Sequence, residues 1–468
     1  MADTEALFAI LRQSCEDEAA AAIEQLVKSG EDLQLNRINV FDFAARSGAG
    51  VEHCIAAFLR ASRLGLFDMS WNVLCPGCGG VLEAGAGLKD MHHARYDCAL
   101  CSAGYEPTLD EMVEVTFTVN SRVRRIAAHD PDALPFADYM RQVFWGTGID
   151  LPPDWSQRLQ DDVVIEAVEL PAGEKALLSL QLPAAFVILI DPVTHSTQFI
   201  DVKGEPARER QHLAMVFNKV QAATGTLEMR PGPLRLTLEN QTGRRVLPAL
   251  FIAGDALHHL LGARKPFLTA KRVLTNQVFR DLYRADTLAL DQRLKITSLT
   301  FLFTDLEAST ELYDRVGDLA AYELVQGHFK VLAAIVAAET GAVVKTIGDA
   351  VMATFATPDR ALAAALRMRA AVAELNAGAA RGLRLKIGIH EGPCLAVTLN
   401  DRQDYFGQTV NIASRVQGLA DSRAILATGP VVDNAQTAEV LRHAGLAPER
   451  QMRQLRGISG DLMLYSIP

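Results

Sequence analysis

The spacing of apolar positions changes three times along the chain. Over residues 1–70 it is helical: Leu7, Ile10 and Leu11, then Ile23, Leu26 and Val27, recur three and four positions apart. From Ile38 to Phe67 the pattern predicts a helix, a turn at Gly48-Ala49-Gly50 and a second helix ending at Leu64-Gly65, the outline of a helix-turn-helix or winged-helix unit. From Val113 to about Lys271 short apolar runs take over. Val113–Val119, Val163–Val168, Ala176–Leu180, Phe186–Ile190 and Leu234–Leu238 read as strands, separated by Asp191-Pro192, Pro231-Gly232-Pro233 and Thr242-Gly243. Thr275 to Ala285 predicts a short connector helix with Val278, Phe279, Leu282 and Tyr283 on one side.

The last third alternates the two periods. Leu299, Phe301 and Phe303 form one face of a strand that ends in Asp305, and an amphipathic helix follows around Leu312 to Ala338. Ala342–Ile347 and Ala350–Phe355 flank Gly348-Asp349, a type II′ hairpin signal. A helix over Ala361–Leu375, a strand over Arg384–His390, a helix from about Thr409 and strands after Ala424 complete the pattern. The class is α+β, helices layered on a mainly antiparallel sheet. One carboxylate ends a strand and another sits at a hairpin tip. If those strands are neighbours, Asp305 and Asp349 meet at a sheet edge. There they can hold Mg²⁺ while leaving its other positions to water and phosphate.

Composition narrows the choices. A length of 468 residues predicts about three domains. A net charge of -10 disfavours non-specific nucleic-acid binding. The second helix of the N-terminal pair offers only Glu52, His53, Arg60 and Arg63, a thin basic face for a groove, so a helical packing module is the preferred reading. No apolar run approaches the roughly 18 residues of a membrane span, the best being Phe186–Ile190 and its flanks, and Met-Ala-Asp-Thr-Glu lacks a basic signal-peptide start. These features predict a soluble cytoplasmic protein without a membrane partner. Cys75-Pro-Gly-Cys78 and Cys98-Ala-Leu-Cys101, nineteen residues apart, have the spacing of a four-thiolate structural zinc site, which suits a reducing compartment. His92 and His93 between them read as loop residues, and His129, His195, His212, His258 and His259 as scattered structural histidines.

Three segments carry a resemblance. Phe303-Thr304-Asp305-Leu306-Glu307-Ala308-Ser309-Thr310, Lys345-Thr346-Ile347-Gly348-Asp349 and Asp404-Tyr405-Phe406-Gly407-Gln408-Thr409-Val410-Asn411-Ile412-Ala413-Ser414-Arg415 occur in the order and at the spacings of the class III nucleotidyl cyclases. From about Thr297 to Pro468 the chain resembles their catalytic domain. The resemblance implies a ferredoxin-like core and attack of a ribose 3′ hydroxyl on the α-phosphorus, with pyrophosphate leaving. It implies two Mg²⁺ or Mn²⁺ ions per active site, held by Asp305, Asp349 and the carbonyl of Leu306. The family usually has Gly where this chain has Ala308. The Gly-Gly-Asp/Glu-Glu-Phe turn of diguanylate cyclases is absent.

Lys345 and Asp404 match the base-reading positions. A Lys donor and an Asp acceptor complement the adenine N1 and N6 groups, whereas guanine would leave both mismatched. Asn411 and Arg415, at i and i+4 of one helix, are implied to orient the ribose and stabilise the pentavalent phosphorus. Arg456, in Leu455-Arg456-Gly457, matches a triphosphate-contacting lysine; His390 fits a strand motif as a structural residue, and Cys394 reads as an ordinary buried cysteine. In the family the metal aspartates and the base-reading residues of one site come from different protomers, so a homodimer of catalytic domains is implied. The β-rich stretch resembles a region of unknown function that precedes some bacterial cyclase domains.

The expected organisation is a helical, helix-turn-helix-like module (1–72), a zinc ribbon (73–112), a β-rich regulatory domain of unknown ligand (113–272), a linker (273–296) and the catalytic domain (297–468). The expected activity is ATP to 3′,5′-cyclic AMP, regulated through the N-terminal region by an unidentified ligand or protein. A guanylate cyclase and an inert zinc-containing nucleotide-binding regulator are the alternatives.

Overall fold

The computed structural model describes residues 2–91, 93–218, 225–284, 288–289, 292–307, 311, 317–376, 383–400, 402–458 and 460–468. The chain forms two compact units. One comprises Met1–Pro107 with Met112–Leu268, the other Thr108–Glu111 with Thr269–Pro468.

The first unit opens with helices Ala2–Ser14, Asp17–Ser29, Val40–Ser47 and Val51–Arg63. Asn39 starts the third by accepting from the Phe41 and Asp42 amides. Gly48, at φ +76°, ends it in the left-handed conformation that glycine adopts without Cβ strain. The fourth buries Cys54, Ile55, Phe58 and Leu59. Strand Phe67–Leu74 follows directly, between Val81–Gly85 and Val113–Val119, both antiparallel to it. Helix, turn, helix and strands occur in the order of a winged-helix unit.

Two further sheets make up the β-rich part. One runs Leu227–Met229, Ser196–Val202, Phe186–Asp191, Ala249–Ile252, Val164–Ala167, and the other Gln211–Phe217, Gly232–Asn240, Lys175–Leu182. Val187 and Leu189 join Phe217, Leu234, Leu236 and Leu238 in one core. Ile188 and Ile190, pointing the opposite way, join Phe144, Trp145, Trp155 and Phe251 in another. Burial on both faces explains why Phe186–Ile190 reads as an unbroken apolar run.

In the second unit, strand Leu294–Leu306 pairs antiparallel with Ala350–Phe355 on one side and Leu385–Leu399 on the other. The sheet order is Ala342–Ile347, Ala350–Phe355, Leu294–Leu306, Leu385–Leu399, Ile425–Thr428, Asp461–Ile467, Glu449–Gln454; Arg402–Phe406 pairs with Leu385–Leu399 off this path. With helices Asp318–Ala338 and Pro358–Leu375 as the two crossovers, the first four strands have the ferredoxin-like βαββαβ arrangement. The expected α+β class is the one observed.

Three local readings change. Leu299, Phe301 and Phe303 are buried, but so are Thr300, Leu302 and Thr304, because helices cover one face and strand Arg402–Phe406 contributes Tyr405 beside Phe301 on the other, ring centroids 5.6 Å apart. The strand expected over Arg384–His390 continues to Leu399. Helix Asp318–Ala338 is long and apolar enough by length and composition to cross a membrane, with mean hydropathy 1.3. Its scattered polar residues break every run but leave the average high. In the fold it lays Ala321, Val325, His328, Leu332, Ile335 and Val336 inward. Residues 312–316 of the predicted helix lie outside the described residues.

Candidate active site and cysteine cluster

Asp305 is the penultimate residue of its strand, opposite Lys386. Asp349 follows Gly348, whose φ of +63° makes the tight turn between Ile347 and Ala350. The two aspartates come together as their strands imply. Burial and the neighbouring Asp349 charge push the Asp305 carboxyl above the usual carboxylate range, while Lys386 and the Gln417 amide pull it down. Asp349 Oδ2 is buried and has no hydrogen-bond partner among the described residues. Two converging carboxylates, one with an orphaned buried oxygen, are a hard-oxygen donor set suited to Mg²⁺ or Mn²⁺. Leu306, whose carbonyl completes the expected set, ends the same strand. Ala308, Ser309 and Thr310 lie outside the described residues.

Two more side chains border this cluster. His328 is 1% exposed, neither ring nitrogen has a partner among the described residues, and burial lowers its pKa to about 4 against the opposing pull of Asp349. Gln417 lies beside Asp305 because its helix, Gln408–Leu419, sits directly on the sheet. A Cβ at Gly388 would come within 2.2 Å of the Gln417 backbone nitrogen, so only glycine permits that approach. The sequence reading missed both residues. Their signals were a lone histidine on an apolar helix face and a glutamine two positions after Arg415.

The same helix presents Asn411 and Arg415 outward, both exposed. The Arg415 guanidinium lies along Gly457, which at φ +72° turns the chain after Arg456; Arg456 itself is exposed.

Lys345 and Asp404 meet. The Lys345 ammonium is ion-paired with Asp404 Oδ2, and Asp404 Oδ1 accepts from the Tyr405 amide at 2.8 Å. The lysine side chain is 40% exposed and the aspartate 10%, so the pair has an open end. Lys345 and Asp349, four residues apart, address different surroundings: one faces Asp404, the other Asp305 and His328. His390 is buried, lowered to about 4 by burial and hydrogen-bonded to Thr428 at 2.7 Å.

In the first unit the four cysteines converge, their sulfurs all within 4.8 Å of one another. Cys75 and Cys101 are 3.7 Å apart and Cys78 and Cys98 3.5 Å, too far for disulfides and close to the roughly 3.8 Å edge of a tetrahedral site with 2.3 Å bonds. The two turns have the same geometry. Gly79 N–H donates to Cys75 O and Ser102 N–H to Cys98 O, with Gly79 and Ser102 both at positive φ, +69° and +51°. Within the cluster, hydrogen bonds led by that from Cys101 hold Cys75 below the usual thiol range, while the same neighbours push Cys78 and Cys98 above it. The donor set fits Zn²⁺.

Both regions match known families. Residues 292–467 match the adenylate and guanylate cyclase catalytic domain, and the fold and motifs identify them as a class III nucleotidyl cyclase domain. Domains of this class use Mg²⁺ or Mn²⁺. Residues 1–281 match the family of unknown function DUF5939, and the chain belongs to that family. An adenylate cyclase of Streptomyces griseus is 37% identical over 152 residues, 32% of this chain and 34% of that protein. The pH-sensitive adenylate cyclase MT1302 of Mycobacterium tuberculosis is 28% identical over 244 residues, 51% of this chain and 56% of that protein. The chain therefore spans a third to about half of these relatives' lengths. The crystal structure of the adenylyl cyclase CyaB from P. aeruginosa is 21% identical, with a TM-score of 0.33, covering 38% of this chain and 96% of that one.

Proposed function

We propose that the chain is an adenylate cyclase, converting ATP to 3′,5′-cyclic AMP and pyrophosphate. The observation that carries the reading is the Lys345–Asp404 pair, a donor beside an acceptor at the open end of a half-buried site. With Lys345 at purine position 1 and Asp404 at position 6, adenine satisfies both through N1 and N6, whereas guanine would turn its N1–H to the lysine and its O6 to the aspartate. Asp305, Asp349 and the Leu306 carbonyl would hold two Mg²⁺ or Mn²⁺ ions, which would acidify the 3′ hydroxyl and neutralise the triphosphate. Asn411 orients the ribose, Arg415 meets the charge developing on the phosphorus and Arg456 contacts the triphosphate.

The working form is a homodimer. Its support is that Lys345 faces Asp404 while Asp349 faces Asp305 and His328, that Asn411 and Arg415 are exposed, and that apolar Phe406 and Ile347 stand 64% and 53% exposed. In a two-fold dimer the aspartates of one protomer face Lys345, Asp404, Asn411 and Arg415 of the other. The N-terminal modules, 1–72, 73–112 and 113–272, regulate this activity through an unidentified ligand or protein, with a structural Zn²⁺ on Cys75, Cys78, Cys98 and Cys101. Seven free cysteines suit a reducing, cytoplasmic setting.

The test is cyclic nucleotide production by the purified chain with Mg²⁺ or Mn²⁺, from ATP and from GTP. Cyclic AMP as the main product is expected. Preferential cyclic GMP would replace the reading with a guanylate cyclase, and neither product with an inert nucleotide-binding regulator.

A further inference from the structure

Strands Ala342–Ile347 and Arg402–Phe406 do not pair with each other; three strands separate them along the hydrogen-bonded path. The sheet nevertheless curls enough for Lys345 on one to reach Asp404 on the other. The connector helix Gln277–Leu282 lies over this gap. Arg280 Nη2 donates to the carbonyl of Val344 at 3.3 Å and to the carbonyl of Gln403 at 2.9 Å. Those are the residues immediately before Lys345 and Asp404. Gln277 adds a third tie, its Oε1 accepting from Val343 N–H at 2.8 Å.

The strand is locally irregular at this point. Its register with Ala350–Phe355 shifts between Val343 and Lys345, a bulge that leaves Val344 outside the ladder. The carbonyl taken by Arg280 therefore belongs to the residue whose position sets where Lys345 points. Asn276 caps the connector helix through the Val278 and Phe279 amides, and Phe279 stacks on Tyr283 with centroids 5.0 Å apart, so the helix presents Arg280 from a packed base. Arg280 Nη1 is buried without a partner among the described residues. Such a guanidinium has given up water for two backbone carbonyls, a cost that a surface arginine with a merely solvated head would not bear.

We infer that Arg280 is a positioning residue for base recognition, its guanidinium clamping the Val344 and Gln403 carbonyls so that Lys345 and Asp404 stand at the separation adenine requires. The inference rests on the assignment of Lys345 and Asp404 as the base-reading pair. It ties selectivity to the connector through which the chain enters the catalytic unit.

The experiment compares kcat/KM for ATP and for GTP in the full chain and in Arg280→Met, Arg280→Lys, Gln277→Leu and Lys345→Ala, with melting curves to verify folding. Both bonds leave from one nitrogen, so a lysine ammonium with three donors can make the same bridge. Arg280→Met should lower the ATP:GTP ratio about tenfold, chiefly by raising KM for ATP, while Arg280→Lys keeps it within about threefold. Gln277→Leu should lower it less, and decides the matter if Arg280→Met does not fold. A folded Arg280→Met, or failing that Gln277→Leu, with an unchanged ratio overturns the inference, even if kcat falls. An unchanged ratio in Lys345→Ala overturns instead the base-reading assignment beneath it.

Discussion

Lys345 and Asp404 are ion-paired across a gap that no backbone ladder bridges. Each side chain therefore already holds the partner that adenine would share, and the proposed base choice rests on the pair rather than on either residue alone. Replacing both together, Lys345→Glu with Asp404→Cys, should lower kcat/KM for ATP at least about a hundredfold and admit some GTP, because donor and acceptor positions are exchanged. Steady-state assays with both nucleotides check this; unchanged ATP turnover would refute the base-reading role.

Asp305 and Asp349 repel each other in the metal-free protein, which raises the Asp305 pKa in addition to the effect of burial. Asp305→Asn should raise the melting temperature of metal-free protein while abolishing turnover. The wild-type protein should gain stability on adding Mn²⁺, about 2.7 kcal/mol at a hundred times Kd, and the variant should lose most of that gain. Calorimetry with and without Mn²⁺ measures both effects. A variant with near-wild-type turnover at saturating metal would exclude Asp305 as a metal ligand.

His328 gives the catalytic unit an acid limit. Above about pH 6.5 the ring is neutral both folded and unfolded and contributes nothing to the pH dependence. Between that pH and its folded pKa of about 4, the unfolded chain takes up a proton that the fold refuses. Stability should then fall by about 1.4 kcal/mol per pH unit, about 3 kcal/mol in all. His390, also lowered to about 4, adds a similar increment. His328→Leu should remove its own share and flatten the decline, as read by urea unfolding from pH 7 to pH 4. An unchanged slope would mean that the fold does not lower the His328 pKa.

The cysteine cluster should carry about one Zn²⁺ per chain. Cys98→Ser should lower the zinc content and destabilise the first unit, since Cys75, Cys78 and Cys98 belong to its core with Phe144 and Trp145. Metal analysis of protein purified under reducing conditions checks the stoichiometry; a zinc-free, fully folded protein would rule the metal out.

The proposed homodimer, with each site shared between protomers, predicts complementation. Asp305→Ala and Arg415→Ala should each be inactive alone. Mixed and allowed to exchange subunits, about half the dimers carry one doubly damaged site and one intact site, so activity should return to about a quarter of wild type. Absence of recovery after demonstrated exchange would mean that each site is built within one chain.

Local patterns in the sequence were enough for several features. The hairpin strands Ala342–Ile347 and Ala350–Phe355 were read at the bounds observed, because Gly348-Asp349 is a strong turn signal and the flanking runs are apolar. The α+β class followed from alternating periods, and the cysteine quartet from spacing alone. Where neighbours several strands away decide the outcome, local pattern was insufficient. Strand Phe67–Leu74 continues an apolar stretch that reads as helical, and Ser196–Val202 and Gln211–Phe217 carry too many polar residues to stand out as strands. The burial of both faces of Leu294–Leu306 came from layers packed above and below it. The approach of Lys345 to Asp404, the seating of Gln417 beside Asp305 and the grip of Arg280 on two carbonyls depend on how the sheet curls, where its edge bulges and which helix lies on a bare glycine. Residue type and spacing encode what a segment can form; which groups then meet is set by packing among segments far apart in the chain.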